Sequence, residues 1–320
     1  MYREIGGYFE LDTYDGNEFY PEAIPLNSGR NAIALLIQKR NYTKIYIPSF
    51  CCDAVIDGIL KGGASYVFYD INEELMPILP AKLGDSEAIL IVNYYGQLDL
   101  NMILSYKNVY KRIILDNTQA FFQKPIPKVD TIYSCRKFFG VADGAYLSSD
   151  ISIKTPLEVD HSSKRMGFVL GRFEESASKY YQESSKNNDI FTIESIKYMS
   201  KLTHNLLRAL DYQKISQIRK CNATYLQKML GPINCLVYKI PEGAFMYPFL
   251  LPQHIDGNKI RKELQKKKIF VPCLWPSVFE YNSSDSLAYY LAKNIIPLPC
   301  DQRYNQDDMQ YIIDNLNELI

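Results

Sequence analysis

What the chain has little of narrows its reading first. Neither sign of charge is in excess: 36 Lys and Arg stand against 36 Asp and Glu in 320 residues. The overall balance therefore draws the protein neither to nucleic acid nor to an anionic membrane, and any anion it binds must be held locally. Histidine is scarce, with only His161, His204 and His254, and none is spaced with another as zinc ligands are. No metal site is expected. The seven cysteines (51, 52, 135, 221, 235, 273 and 300) form an odd set without CxxC spacing, and the adjacent pair is a poor disulfide. A reducing compartment fits. No stretch reaches ~18 uninterrupted apolar residues, and residues 1–17 carry Arg3, Glu4, Glu10, Asp12 and Asp15 in place of an apolar leader. The chain reads as soluble and cytoplasmic, with no membrane partner.

What is present is ordinary for a globular protein: 47% apolar and 22% charged residues, in a length that suits one large or two modest domains. The first half alternates. An amphipathic segment 29–40 is followed by β-rich runs at 44–50, 65–71, 88–95 and 112–115, with a helical segment at 51–60. Parallel strands need crossover connections, so this pattern predicts an α/β fold: a doubly wound, mostly parallel sheet. Between 157 and 230 strand signals vanish, and Ile193, Ile196, Met199, Leu202, Leu206 and Leu210 recur at helical spacing. A long helical stretch is expected there. From 232 onward shorter units return: strands at 235–240, 246–251, 269–274 and 295–299, helices at 258–268 and 284–293, and a final helix opening at Asn305. The expected division is a large domain, 1–231, and a smaller α+β domain, 232–320.

Three segments concentrate chemistry. Ser28-Gly29-Arg30 precedes a helix that places Ala32, Leu35 and Leu36 on one face. A helix start of that kind offers a capping hydroxyl and unpaired N–H groups at the positive end of the dipole, which suits a phosphate and equally a plain N-cap. Residues 111–116 deliver Asp116 at a strand end, the edge where open parallel sheets gather ligands. The competing reading is a turn cap through Asn117 and Thr118. Lys137 then follows the β run 131–135, with Ser134 before it and Phe138, Phe139 and Arg136 beside it. The Phe pair predicts a desolvated lysine of lowered pKa, as a Schiff-base lysine requires.

Together these residues resemble the fold-type-I pyridoxal-phosphate enzymes and, within them, the DegT/DnrJ/StrS-type sugar aminotransferases. The resemblance is carried by Ser28-Gly29-Arg30, Pro48-Ser49-Phe50, Tyr94-Tyr95-Gly96, Asp116-Asn117-Thr118-Gln119 and Lys137, then by Arg219-Lys220-Cys221-Asn222 and Ile296-Pro297-Leu298-Pro299. It implies pyridoxal 5'-phosphate as cofactor and a role for each matching residue. Lys137 holds the cofactor covalently and moves the proton; Asp116 keeps the ring nitrogen protonated. Gln119 donates to the ring's phenolic oxygen. The phosphate falls to the amides of Gly29 and Arg30 and the hydroxyls of Ser28 and Ser134.

Three places depart from the pattern. Ser134 stands three residues before the lysine, where the family has serine five before it. Cys52 takes the place of the aromatic that stacks on the ring, and Tyr198-Met199-Ser200 is a degenerate echo of a stretch that reaches the neighbouring subunit's phosphate. The implied function is an aminotransferase that moves an amine from a donor such as glutamate to a keto sugar, nucleotide-linked, for polysaccharide synthesis, in a homodimer. A regulatory protein on the same scaffold, without catalysis, stays open on the departures. So does sugar dehydration, against which Lys137 speaks, because family dehydratases carry histidine there.

Overall fold

The alternating apolar runs build an eight-stranded sheet in a computed structural model that describes residues 5–320. Its strands are β1 (Ile24–Leu26), β2 (Lys44–Pro48), β3 (Ser65–Ile71), β4 (Pro77–Ile78), β5 (Glu87–Val92), β6 (Ile113–Asp116), β7 (Asp130–Ser134) and β8 (Ala145–Ser148). The order across the sheet is β1-β8-β7-β6-β5-β2-β3-β4. The strands β3, β2, β5, β6 and β7 pair in parallel. Antiparallel pairs finish both sides, through β8 and β1 at one and β4 at the other. Strands β6 and β7 are buried along their whole length, as expected where both faces of a sheet are covered.

Helices α1 (Gly29–Arg40), α2 (Asp53–Gly62) and α3 (Leu100–Tyr110) supply the crossovers. Helices α1 and α2 pack closely because α2 presents glycine at the contact: a Cβ on Gly58 would lie 2.8 Å from the Arg30 carbonyl oxygen, and one on Gly62 2.8 Å from the Ile37 Cβ. The chain leaves β2 to one side for β3 and resumes on the other at β5. The carboxyl ends of β2 and β5 thus flank a switch in strand order, where such sheets open a crevice.

The expected long helical stretch is broken into four helices: α4 (Gly167–Glu174), α5 (Tyr181–Ile193), α6 (Lys201–Arg208) and α7 (Tyr212–Leu230). Ile196 and Met199 fall between helices, where Tyr198 bridges to Leu26 and to Val159. Cap chemistry overrides the periodicity. Ser200 caps α6 while its own N–H and Oγ both reach the buried Asp143 carboxylate at 2.8 Å, and Asp211 caps α7.

The carboxyl-terminal part holds β9 (Tyr247–Leu250) and β10 (Ile295–Leu298), paired antiparallel, with α8 (Gly257–Lys266), α9 (Val278–Tyr281), α10 (Leu287–Asn294) and α11 (Gln306–Asn317). Asn305 opens α11 in a capping box with Asp308. The strands expected at 235–240 and 269–274 are not formed. Beside the first, the Asn234 side-chain oxygen takes the N–H groups of both Leu236 and Leu250, so a ladder to β9 has lost its donor. In the second, Pro272 lacks a donor and Trp275 turns the chain at φ 61°. No helix among the described residues is long and apolar enough to cross a membrane.

Candidate active site at the carboxyl edge of the sheet

Strand β7 ends at Ser134, and the turn after it alternates inward and outward. Cys135, Phe138 and Phe139 are buried, and Lys137 is exposed. Phe138 and Phe139 join Phe121 at centroid distances of 5.5 and 4.9 Å, and Phe138 meets Phe245 at 5.7 Å. Such contacts add about 0.5–1.5 kcal/mol each beyond area burial. The expected desolvation of Lys137 is therefore absent: the Phe pair anchors the turn from below and leaves the lysine facing solvent. Its Nζ donates to Thr118 Oγ1 at 2.8 Å.

Arg219 clamps the same turn from the other side. This fully buried side chain donates to the carbonyls of Phe138 (3.1 Å), Ala244 (3.0 Å) and Phe245 (3.3 Å) and to Gln302 Oε1 (2.6 Å). Gln302 Nε2 donates in turn to the Phe138 carbonyl at 2.8 Å. Burial pushes the Arg219 guanidinium down to about 10. Asn222, one turn later on α7, holds the carbonyls of Asp301 (3.3 Å) and Tyr304 (2.9 Å). The segment 219–222 is thus the tie between the lysine turn and the carboxyl-terminal part.

Asp116 is buried at the end of β6 and divides its oxygens. Oδ1 accepts the Thr118 N–H at 2.8 Å, the turn cap, and Oδ2 makes no hydrogen bond among the described residues. Gln119 is divided likewise. Its Oε1 accepts the Tyr95 N–H at 2.9 Å, and Nε2 has no partner among the described residues. That bond holds a strained turn, with Tyr95 at φ 51° and Gly96 at φ 75°. Beneath, Asn93 donates to Asn117 Oδ1 (3.0 Å) and Gln123 Oε1 (2.8 Å), and Asn117 donates to Gln123 Oε1 (2.9 Å). This amide network fixes the ends of β5 and β6 against each other.

Ser28 caps α1, its Oγ accepting the Asn31 N–H at 3.2 Å. The first-turn amides of Gly29 and Arg30 have no carbonyl within the helix to bond. A Cβ on Gly29 would lie 3.9 Å from the Thr118 methyl, so the start of α1 abuts the residue that holds Lys137. Only the backbone of Arg30 is available at this helix start, because its guanidinium reaches Asp57 (3.0 Å) and the Asn188 carbonyl (2.9 Å). Ser134 is buried as a residue, and its Oγ makes no hydrogen bond among the described residues. Half-buried Cys52 donates to Asp53 Oδ1 at 3.1 Å; burial pushes its thiol up to about 12, opposed by the charge of Lys137. The nearby rings Phe50, Tyr94 and Trp275 pack on one another and support the edge from within, with Phe50 4.6 Å from Trp275 and 5.4 Å from Tyr94.

The edge thus brings together Ser28, Gly29, the Arg30 backbone, Asp116, Gln119 and Lys137, with Thr118 between them. Sequence reasoning passed over Thr118 as a partner of the lysine and did not give Arg219 its anchoring role; neither a lone hydroxyl nor a lone arginine has a spacing signature. Met199 and Ser200 are buried against their own chain. Two open clefts of about 310 and 480 Å³ lie at the opposite edge around Asp130 and Asp150, whose carboxylates are taken by Arg40.

No protein-family profile and no curated protein matches this sequence. Solved structures do match its backbone. A DegT DnrJ EryC1 StrS aminotransferase from Brucella abortus is 15% identical over 92% of this chain and 85% of that one, with a TM-score of 0.62. NtdA from Bacillus subtilis, solved with bound cofactor PMP, is 15% identical over 93% of this chain and 73% of its own, with a TM-score of 0.64. The sugar aminotransferase CalS13 from Micromonospora echinospora is 14% identical over 93% and 87%, at 0.63. The site described here lies on the fold of the DegT/DnrJ/EryC1/StrS aminotransferase structures, and this chain has that fold.

Proposed function

We propose that the protein is a pyridoxal-phosphate-dependent aminotransferase that places an amine on a keto sugar, nucleotide-linked, with glutamate or a similar amino acid as donor. The observation that carries this reading is the set of polar groups left free at one sheet edge. They are one oxygen of Asp116, the Gln119 amide nitrogen, the Ser134 hydroxyl and the first amides of α1, grouped around a solvent-facing lysine. This donor set fits the cofactor, which needs a carboxylate for its ring nitrogen, a donor for its phenolic oxygen and a cradle for its phosphate. When bound, pyridoxal phosphate supplies the electron sink for the carbanion formed at the carbon that exchanges its amine.

The chain's own residues do the rest. Lys137 Nζ holds the cofactor and carries a proton to and from the reacting carbon, and Thr118 Oγ1 keeps that nitrogen at the site when it is free. Asp116 Oδ2 keeps a proton on the ring nitrogen while Oδ1 holds the turn in place. Gln119 Nε2 donates to the phenolic oxygen, and the amides of Gly29 and Arg30 with the hydroxyls of Ser28 and Ser134 take the phosphate. Cys52 would offer the cofactor a neutral thiol where the resemblance expects an aromatic ring. The neighbouring structures, a sugar aminotransferase and a PMP complex among them, support the sugar and the cofactor. The product is an amino sugar of the kind used in polysaccharide synthesis in the cytoplasm.

Borohydride reduction of the purified protein followed by peptide mass analysis tests the assignment. The pyridoxyl mass is expected on Lys137, and its appearance on another lysine rejects the site. A protein whose absorbance shows no bound cofactor, even after pyridoxal phosphate is added, belongs instead to the regulatory reading that Cys52 favours.

A further inference from the structure

Three arginines converge beside Lys137, on one turn of α5. Arg136, the residue before the lysine, donates to Asn188 Oδ1 at 3.2 Å and lies over the Phe191 ring at 4.7 Å. Arg30 donates to the backbone carbonyl of the same Asn188 at 2.9 Å, and Arg165 lies over the same Phe191 ring at 5.2 Å. The carboxylates in reach are committed elsewhere. Asp57 pairs with Arg30 at 3.0 Å and Asp160 with Arg165 at 2.8 Å, while Asp143 is taken by Ser200 and Thr203. Arg136 has no ion pair among the described residues, and the Arg165 Nε is buried without a partner.

A half-buried guanidinium held between two others, with no carboxylate of its own, is an unfavourable arrangement for an empty site. Burial and the charges of Arg30 and Arg165 pull its pKa down to about 10. An oxyanion bound there reverses the balance, and the planar fork of arginine matches a phosphoryl group at two oxygens. We infer that Arg136 is the donor of a phosphoryl-binding subsite beside Lys137, with Asn188 and Phe191 fixing its guanidinium and Arg30 and Arg165 adding to the field. The inference rests on the proposed function only for the source of the phosphoryl group: a phosphate-bearing substrate, such as a nucleotide-linked sugar, or the cofactor itself.

The test uses the full chain as wild type, Arg136→Gln and Arg136→Lys, each checked for an unchanged melting temperature. Affinities for pyridoxal phosphate and for pyridoxal are read from cofactor absorbance. Binding of inorganic pyrophosphate is read by calorimetry, with and without cofactor. Pyrophosphate is expected to bind the cofactor-loaded wild type and to bind Arg136→Gln about tenfold to a hundredfold more weakly, with the pyridoxal-phosphate to pyridoxal affinity ratio unchanged. That outcome assigns the subsite to substrate. If Arg136→Gln instead loses affinity for pyridoxal phosphate alone, by a similar factor, the phosphoryl group is the cofactor's. Wild-type affinities for all three ligands in Arg136→Gln overturn the inference and leave Arg136 as packing on Phe191. Should that variant melt early, Arg136→Lys, which keeps the charge and removes the fork, carries the same readouts. A wild type that takes up no cofactor defeats the proposed function but not this inference, which then stands or falls on pyrophosphate binding to the cofactor-free chain.

Discussion

Asp116 shows how one side chain serves folding and chemistry at once. Its Oδ1 caps the turn to Thr118, while Oδ2 stays free at the sheet edge. Replacing it with alanine removes a turn cap worth about 1 kcal/mol and removes the partner proposed for the ring nitrogen. Asp116→Ala is expected to fold and to keep much of its bound cofactor, yet to lose at least a hundredfold in transamination; turnover near the wild-type rate leaves the turn cap as its whole role. Glu18 is a structural counterpart. Burial raises its pKa, but hydrogen bonds from His204 Nδ1 (2.7 Å) and the Tyr146 hydroxyl, with the charges of His204 and Arg208, outweigh burial and leave it lowered. A carboxylate lowered in the folded state adds stability above its unfolded pKa and loses it as pH falls through the folded value. Urea midpoints of the wild type should therefore drop below about pH 4.5, and those of Glu18→Gln should drop less; parallel curves would remove Glu18 from the acid response.

At the scale of elements, the strands and helices that hold the site follow from local pattern. Helix α1 spans the full 29–40 expected, and β3 the full 65–71. The break in the helical stretch and the missing strand at 235–240 share a cause, a backbone group claimed by another partner, whereas 269–274 fails on its own Pro272 and on the turn at Trp275. Asp143 and the bridge at Tyr198 cut the helical stretch, and Asn234 takes the donor of Leu250. The tie between elements is Arg219, with four acceptors around one buried guanidinium. Arg219→Leu strands those acceptors and is expected to cost about 3 kcal/mol, read as a fall in the urea midpoint. It is also expected to loosen cofactor binding, because the Phe138 carbonyl that steadies the lysine turn loses a donor. A variant that unfolds like wild type would place the anchor in the Phe121 cluster instead. We propose the carboxyl-terminal unit, 232–320, as the smaller domain, with α7 reaching across to α11.

For the whole molecule, the stretch that recurs at helical spacing from Ile193 to Leu210 is covered by its own chain in part only. Met199 and Leu207 are buried in their own core. Among the exposed apolar side chains are Ile5, Tyr8 and Phe9 near the amino terminus and Leu170, Phe173, Tyr181 and Ile193 on α4 and α5. Surface of this kind is covered by association more often than left wet, and we propose a homodimer that also closes the open site around Lys137. Light scattering at micromolar concentration should give the mass of two chains; one chain with full activity rejects the shared site. The sequence by itself determined the five parallel strands of the large sheet, the residues at their carboxyl ends and the class of fold, because hydrophobic period and turn chemistry are local. Tertiary structure alone decided that Lys137 faces solvent on Thr118, that Arg219 clamps its turn and that Arg136 is left without a counter-charge. Each of those facts depends on what distant segments bring to the same place, and no spacing along the chain records it.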